Sequence, residues 1–190
     1  MSNAFPGHTA PAAGFDAPLA MLAQCHRRFE QQCSTLQRLA THLPQHGADA
    51  QAQQAATAVM RYFDSAARQH HEDEEQDLLP AMIEAMAGSD AVCLRGLSET
   101  LAAQHRGLET LWAAVRRELQ PVGAAIADGS PGRALSLDAT AVKALVNGYR
   151  EHIALEEAQL LPMAARLLDD AALRRMGSAM RRRRGIAEGD

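Results

Sequence analysis

At 190 residues the chain suits one compact domain with an appendage, and its 39 alanines and 22 leucines, against 17 Val, Ile and Thr together and 4% aromatics, favour helices and exclude a sizeable sheet. The formal charge of -4 conceals a division: six arginines (Arg174, Arg175 and Arg181 to Arg184) crowd the last seventeen positions, leaving 13 basic and 21 acidic residues, a net of -8, in positions 1–173. That acidic body makes nucleic acid an improbable partner, and no uncharged apolar run approaches the ~20 residues of a membrane span.

Residues 1–14, MSNAFPGHTAPAAG, read as a flexible arm, with no basic segment and apolar core of a leader peptide. The first helix is expected from Asp16 as N-cap to about His42, before Pro44 and Gly47, with Leu19, Leu22, His26, Phe29, Cys33, Leu36 and Leu39 on one face. The second is expected from Ala48 or Asp49 to about Ala87, stopped by Gly88 and Ser89, with Val59, Phe63, Ala66, His70, Glu74 and Leu78 inward. Pro80 lies inside it, and a kink or break is expected there, because proline removes a donor and clashes with the carbonyl of Gln76.

The third helix is expected from about Asp90 to Leu119, burying Leu94, Leu97, Leu101, His105, Leu108 and Val115, and Pro121 ends it or starts an additional turn. DGSPGR at 128–133 reads as a loop. The fourth runs from Ser136 or Asp138 to about Leu168 through Val142, Leu145, Tyr149, His152, Glu156 and Leu160, again with an internal proline, Pro162. A fifth, short helix from Asp170 to about Met180 precedes a basic tail whose default is a frayed, solvated end. The architecture implied is all-α: an antiparallel up-and-down four-helix bundle over 15–169, the arm at 1–14, and a short helix and tail at 170–190. A globin-like packing of shorter helices is the structural alternative. Cys25, Cys33 and Cys93, an odd number with no C-x-x-C spacing, fit free thiols and a cytoplasmic location.

One internal repeat carries chemistry. HHEDEEQDLLP at 70–80 aligns with HIALEEAQLLP at 152–162, so that His70, Glu74, Glu75, Leu78, Leu79 and Pro80 meet His152, Glu156, Glu157, Leu160, Leu161 and Pro162. In H-x-x-x-E the imidazole and the carboxylate stack on one helix face. Both pairs lie on apolar stripes, and a carboxylate stranded in a core costs several kcal/mol unless paired or metal-bound. His26 on the first helix and His105 on the third interrupt their own stripes. The ordinary reading of each alone is a core histidine with one hydrogen bond, but one inward histidine per helix lets four imidazoles and two carboxylates converge. Four nitrogens and two bridging carboxylates supply two ions better than one, with an oxo or hydroxo bridge completing about five contacts each. The N/O donor set suits iron, manganese or zinc, and carboxylate bridging favours a di-iron centre.

Together these motifs resemble the hemerythrin-like proteins with the HHE cation-binding domain, over roughly residues 16–168. The resemblance implies a bundle holding a non-haem di-iron centre bridged by Glu74 and Glu156, with His26 and His70 serving one iron and His105 and His152 the other. Oxygen-carrying members place a second histidine on the third helix at i+4, where this chain has Glu109, which argues against reversible oxygen transport. His71, Glu75 and Glu109 are supplementary ligand candidates, and a solvated helix edge is the expectation for Asp73 and Asp77. The functions that follow are binding or sensing of oxygen, nitric oxide, peroxide or iron; a metal-dependent regulatory or interaction module, its protein partner unidentified; or a di-metal oxidase or peroxidase. No acid-base set separate from the ligands stands out, so a non-enzymatic role leads.

Overall fold

A computed structural model of the chain describes residues 14–86, 90–125 and 135–187. The expected arm up to residue 13 with its His8, the stop at Gly88 and Ser89, the side chain of Cys93 and the loop at 128–133 lie outside the described residues. The described residues form helices α1 (Pro18–His46), α2 (50–85), α3 (Asp90–Ala124), α4 (139–167) and α5 (Asp170–Arg183), with no strand among them.

Short aspartate caps start three of the helices. The Asp49 carboxylate accepts from Ala52 N–H at 2.8 Å, Asp138 from Thr140 N–H at 2.8 Å and Asp169 from Ala172 N–H at 2.7 Å, each satisfying a donor that the first turn leaves unpaired. The first helix departs from expectation at both ends. It starts at Pro18 after Ala17, with no side-chain cap, and passes Pro44 to end at His46, where Gly47 at φ 69° turns the chain toward α2. The third helix takes the additional turn at Pro121 and runs to Ala124. Next to these prolines Leu43 and Val122 are 1% and 0% exposed, and burying such a side chain, at roughly 1.5–3 kcal/mol, offsets much of the hydrogen bond that proline removes.

The disturbance expected at Pro80 takes the form of a π turn, with no break in the helix, and the same device stands before Pro162. Each proline follows a π turn, Glu74–Leu78 in α2 and Glu156–Leu160 in α4, through which the backbone stays right-handed helical. Leu79 N–H reaches back five residues to Glu74 O, and Leu161 N–H to Glu156 O. The widened turn places the proline near the start of the next α segment, where a missing donor costs little. Another π turn, Phe63–Ala67, retards the stripe of α2 by about one residue's rotation of 100°. Ala67 is therefore buried where periodicity pointed to Ala66.

Two apolar clusters fill the bundle, one holding Phe29, Leu36, Val59, Phe63, Leu108, Trp112, Leu145 and Tyr149, the other Leu22, Leu78, Met82, Leu94, Leu101, Leu160, Met176 and Met180. Along α1 and α3 the chain passes from the second cluster to the first, and along α2 and α4 from the first to the second. That alternation is the up-down-up-down topology. At the crossing from one cluster to the other each helix carries a histidine. The fifth helix sends Met176 and Met180 into the second cluster and lies against α1 and the 68–78 stretch of α2.

Candidate metal centre

Among the described residues, the buried polar side chains other than Asp73 gather in one layer between the two apolar clusters: His26, His70, His71, Glu74, His105, His152 and Glu156. The fold needs that layer to be answered, because Glu74, Glu156 and His70 are each 0% exposed. His26 Nε2 stands 3.0 Å and His70 Nε2 3.8 Å from Glu156 Oε2, and His70 Nε2 is 3.4 Å from Glu74 Oε1. On the other side His105 Nε2 lies 3.4 Å from Glu74 Oε2, and His152 Nε2 lies 2.9 Å from Glu156 Oε1. The two Nε2 atoms of His105 and His152 are 3.2 Å apart.

Ligand atoms of His26, His70, Glu74 and Glu156 all fall within 4.8 Å of one another, and so do those of Glu74, His105, His152 and Glu156. The two groups share both glutamates. Despite this crowding, both carboxylate oxygens of Glu74, both of Glu156, and Nε2 of His26, His70 and His71 are buried with no aligned hydrogen bond. Lone pairs gathered without donors are what a cation site presents, and the all-N/O set suits iron, manganese or zinc.

Outside the layer, three imidazoles are braced through Nδ1. His26 Nδ1 stands 3.0 Å from Glu157 Oε1, His105 Nδ1 2.6 Å from Glu75 Oε1 and His152 Nδ1 3.0 Å from Gln104 Oε1. With Nδ1–H donating outward, the Nε2 lone pair faces the centre. The doubled glutamates thus divide the work: Glu74 and Glu156 point in, while half-exposed Glu75 and Glu157 hold a histidine of a neighbouring helix. Glu75 acts outside the centre, and Glu157 does the same at the corresponding place in the repeat. Gln104 was not legible in sequence, since a residue adjacent to a stripe position carries no periodic signal.

His71 is drawn in further than its place one step round the helix suggested. It is 5% exposed, its ring stacks on His105 at 4.0 Å with planes 12° apart, and it shares a ligand-atom group with His105 and His152. Glu109 is exposed and belongs to none of these groups. It lines a surface cavity of about 440 Å³ that His71, Phe63, Trp112 and Tyr149 also line. The expectation for Asp73 is overturned. It is 0% exposed and ion-paired to Arg183 and Arg184, and Arg183 also reaches Asp77 at 2.7 Å. The tail arginines are therefore docked, not frayed.

The electrostatics follow from burial. Burial, then the neighbouring Glu156 carboxylate, push Glu74 well above the usual carboxylate range. Burial also acts against charge on Glu156, but the imidazoles of His105, His152, His26 and His70 that face it hold it well below that range. Burial keeps His70 and His71 neutral by lowering their pKa values. For His105 burial is outweighed by Glu156, Glu74 and Glu75, which hold its pKa up to about 10.

Comparison with known proteins agrees with this geometry. The hemerythrin HHE cation binding domain family matches residues 17–164. An uncharacterized protein of Haemophilus influenzae is 28% identical over 176 residues, which cover 93% of this chain and 95% of that protein. A cation-binding layer inside a four-helix bundle, matched over the bundle's length, places the chain in the hemerythrin HHE cation-binding family.

Proposed function

We propose that the protein holds two iron ions, one by His26 and His70 and the other by His105 and His152, with Glu74 and Glu156 serving both, and that the centre binds or senses oxygen, nitric oxide or peroxide. The observation carrying this reading is the set of four buried carboxylate oxygens without hydrogen-bond partners, faced by imidazoles from all four bundle helices. His71 supplies a third imidazole to the side of His105 and His152, in place of the helix-three histidine that Glu109 replaces.

Iron held by these residues would supply electron transfer and a binding point for a small ligand. The chain's own residues supply the rest. Glu75, Glu157 and Gln104 orient the imidazoles, and the two apolar clusters keep bulk water from both ends of the layer. The cavity beside His71 opens to the surface, lined by Phe63, Trp112 and Tyr149 together with the charged Asp64, Arg68, Glu109 and Arg116, and offers a small ligand a route toward the layer.

Metal analysis after expression in iron-rich medium, with visible spectra recorded under dithionite, air and nitric oxide, tests the reading. About two irons per chain and a spectrum that changes with each gas support it. Less than one iron per chain, or a spectrum indifferent to all three treatments, rejects it. His70→Ala and His152→Ala each lower the iron content while most helicity by circular dichroism is retained.

A further inference from the structure

We propose that the C-terminal arginines Arg183 and Arg184 are positioning residues for the metal centre, acting through Asp73 to hold the π turn that aims Glu74. The inference rests on the metal-binding reading given above, and extends it to a segment outside the four bundle helices.

The two repeats differ in a telling way. Positions they share, the histidine, both glutamates, the leucine pair and the proline, build or flank the centre. Glu72, Asp73 and Asp77 occur only in the first, where the second has Ala154, Leu155 and Gln159. These three acids are the ones that meet the tail. Arg184 grips both oxygens of Asp73, Nη1 to Oδ1 at 3.1 Å and Nη2 to Oδ2 at 2.6 Å, and its Nη1 also donates to Met180 O at 2.9 Å. Arg183 donates from Nη1 to Asp73 Oδ1, and from Nη2 to Asp77 Oδ2 at 2.7 Å and Gln76 Oε1 at 3.2 Å; its Nε is 3.8 Å from Glu72 Oε2.

Asp73 immediately precedes the π turn, and Gln76 and Asp77 lie within it, so one guanidinium ties the turn's two ends together. Without that cation Asp73 and Asp77 repel across the turn, and Asp73, 0% exposed beneath the docked tail, loses its charge partners. The turn carries Glu74 into the centre and Glu75 onto His105. A slip of one residue in its hydrogen bonding rotates both by about 100°. The tail therefore sets the aim of two glutamates without touching the centre. Further contacts seat it: Phe15 lies 5.7 Å from the Arg184 guanidinium and 5.2 Å from that of Arg181. Gly177 lies so close to Phe15 that a Cβ there would run into its carbonyl oxygen.

Cobalt(II) titration of the full-length apoprotein tests this, with visible absorption reporting both occupancy and ligand geometry. The variants are Arg183→Gln with Arg184→Gln, and the same pair with Asp73→Asn, which leaves no buried unpaired charge and guards against simple unfolding. Expected in the folded triple variant are a loss of affinity of roughly 10- to 100-fold and an altered cobalt spectrum. Arg184→Lys, which keeps the charge but not the two-toothed grip, recovers part of the affinity. The increase in Tm on cobalt binding shrinks in the triple variant, whereas a purely structural tail would lower the apo and loaded Tm values together. Wild-type affinity and spectrum in a folded triple variant overturn the inference while leaving the metal site standing. Failure of the wild-type chain to bind cobalt or iron overturns both.

Discussion

His105 stands between adjacent glutamates of α2: Glu74 Oε2 lies 3.4 Å from its Nε2 on the side of the centre, and Glu75 Oε1 braces its Nδ1 at 2.6 Å. The same arrangement recurs at His26, where Glu156 Oε2 is 3.0 Å from Nε2 and Glu157 Oε1 is 3.0 Å from Nδ1. Each Glu-Glu pair thus flanks an imidazole on a different helix, the outer glutamate bracing Nδ1 and the inner one facing Nε2. Side chains adjacent in a helix diverge by about 100°, so straddling a ring edge-on is within their reach.

Glu75→Gln and Glu157→Gln should therefore weaken metal binding without touching the inner donors. Loss of the charged acceptor lowers imidazole basicity and frees the ring, at a cost of roughly 10- to 100-fold in affinity. Isothermal titration with iron(II) under anaerobic conditions measures it, and unchanged affinity in both variants would remove the bracing role. Their exposure, 43% for Glu75 and 54% for Glu157, predicts little change in the apoprotein's Tm.

Metal uptake should release protons. In the apoprotein the carboxylates around His105 raise its pKa to about 10, above the ordinary 6.5, so at neutral pH the ring carries a proton that a cation at Nε2 must displace. The sign of the stability effect follows. A raised histidine pKa stabilises the apo fold fully below about 6.5, and that contribution is lost as pH rises through about 10. Apparent metal affinity should accordingly fall on moving from about pH 8 to about pH 6. Proton release in weakly buffered titrations is the measurement, and release of none would contradict the assignment.

Gly177→Ala should destabilise the protein even though alanine improves helix propensity by roughly 1 kcal/mol. The added Cβ meets backbone at Phe15, not a side chain that can swing aside, and overpacking of this kind costs typically 1–3 kcal/mol. Urea unfolding should show a net loss, and a gain in midpoint would mean that α5 does not approach the start of α1 this closely.

Cys33 should resist alkylation. Burial raises its thiol pKa to about 12, so almost no thiolate exists near pH 8, and the side chain is 5% exposed. Iodoacetamide should label it in urea and spare it in the native state, as read by mass spectrometry. Burial raises Cys25 as well, and both are free thiols.

Much of the site is readable in one dimension because helices turn spacing into direction. His70 and Glu74, and His152 and Glu156, lie four apart on stripes otherwise apolar, and His26 and His105 interrupt two further stripes. Periodicity and the repeat together pointed to six of the seven residues whose ligand atoms lie within reach of one another, His71 being the seventh. The repeat also predicted that α2 and α4 carry equivalent devices, down to the leucine pair and the proline.

Periodicity failed where the helix itself changes pitch. The π turns cannot be seen in a 3.6-residue pattern, so Pro80 read as a kink or break and Ala66 was named inward instead of Ala67. It also carries no information about partners distant in sequence. Asp73 looked like one more acid on a solvated edge until α5 brought Arg183 and Arg184 across a separation of 110 residues or more. What the chain determined by itself was the set of inward side chains, because helical direction follows from local geometry. Which outward side chains are buried, and by what, was decided only when the last helix docked, because burial belongs to the packed chain and not to the residue.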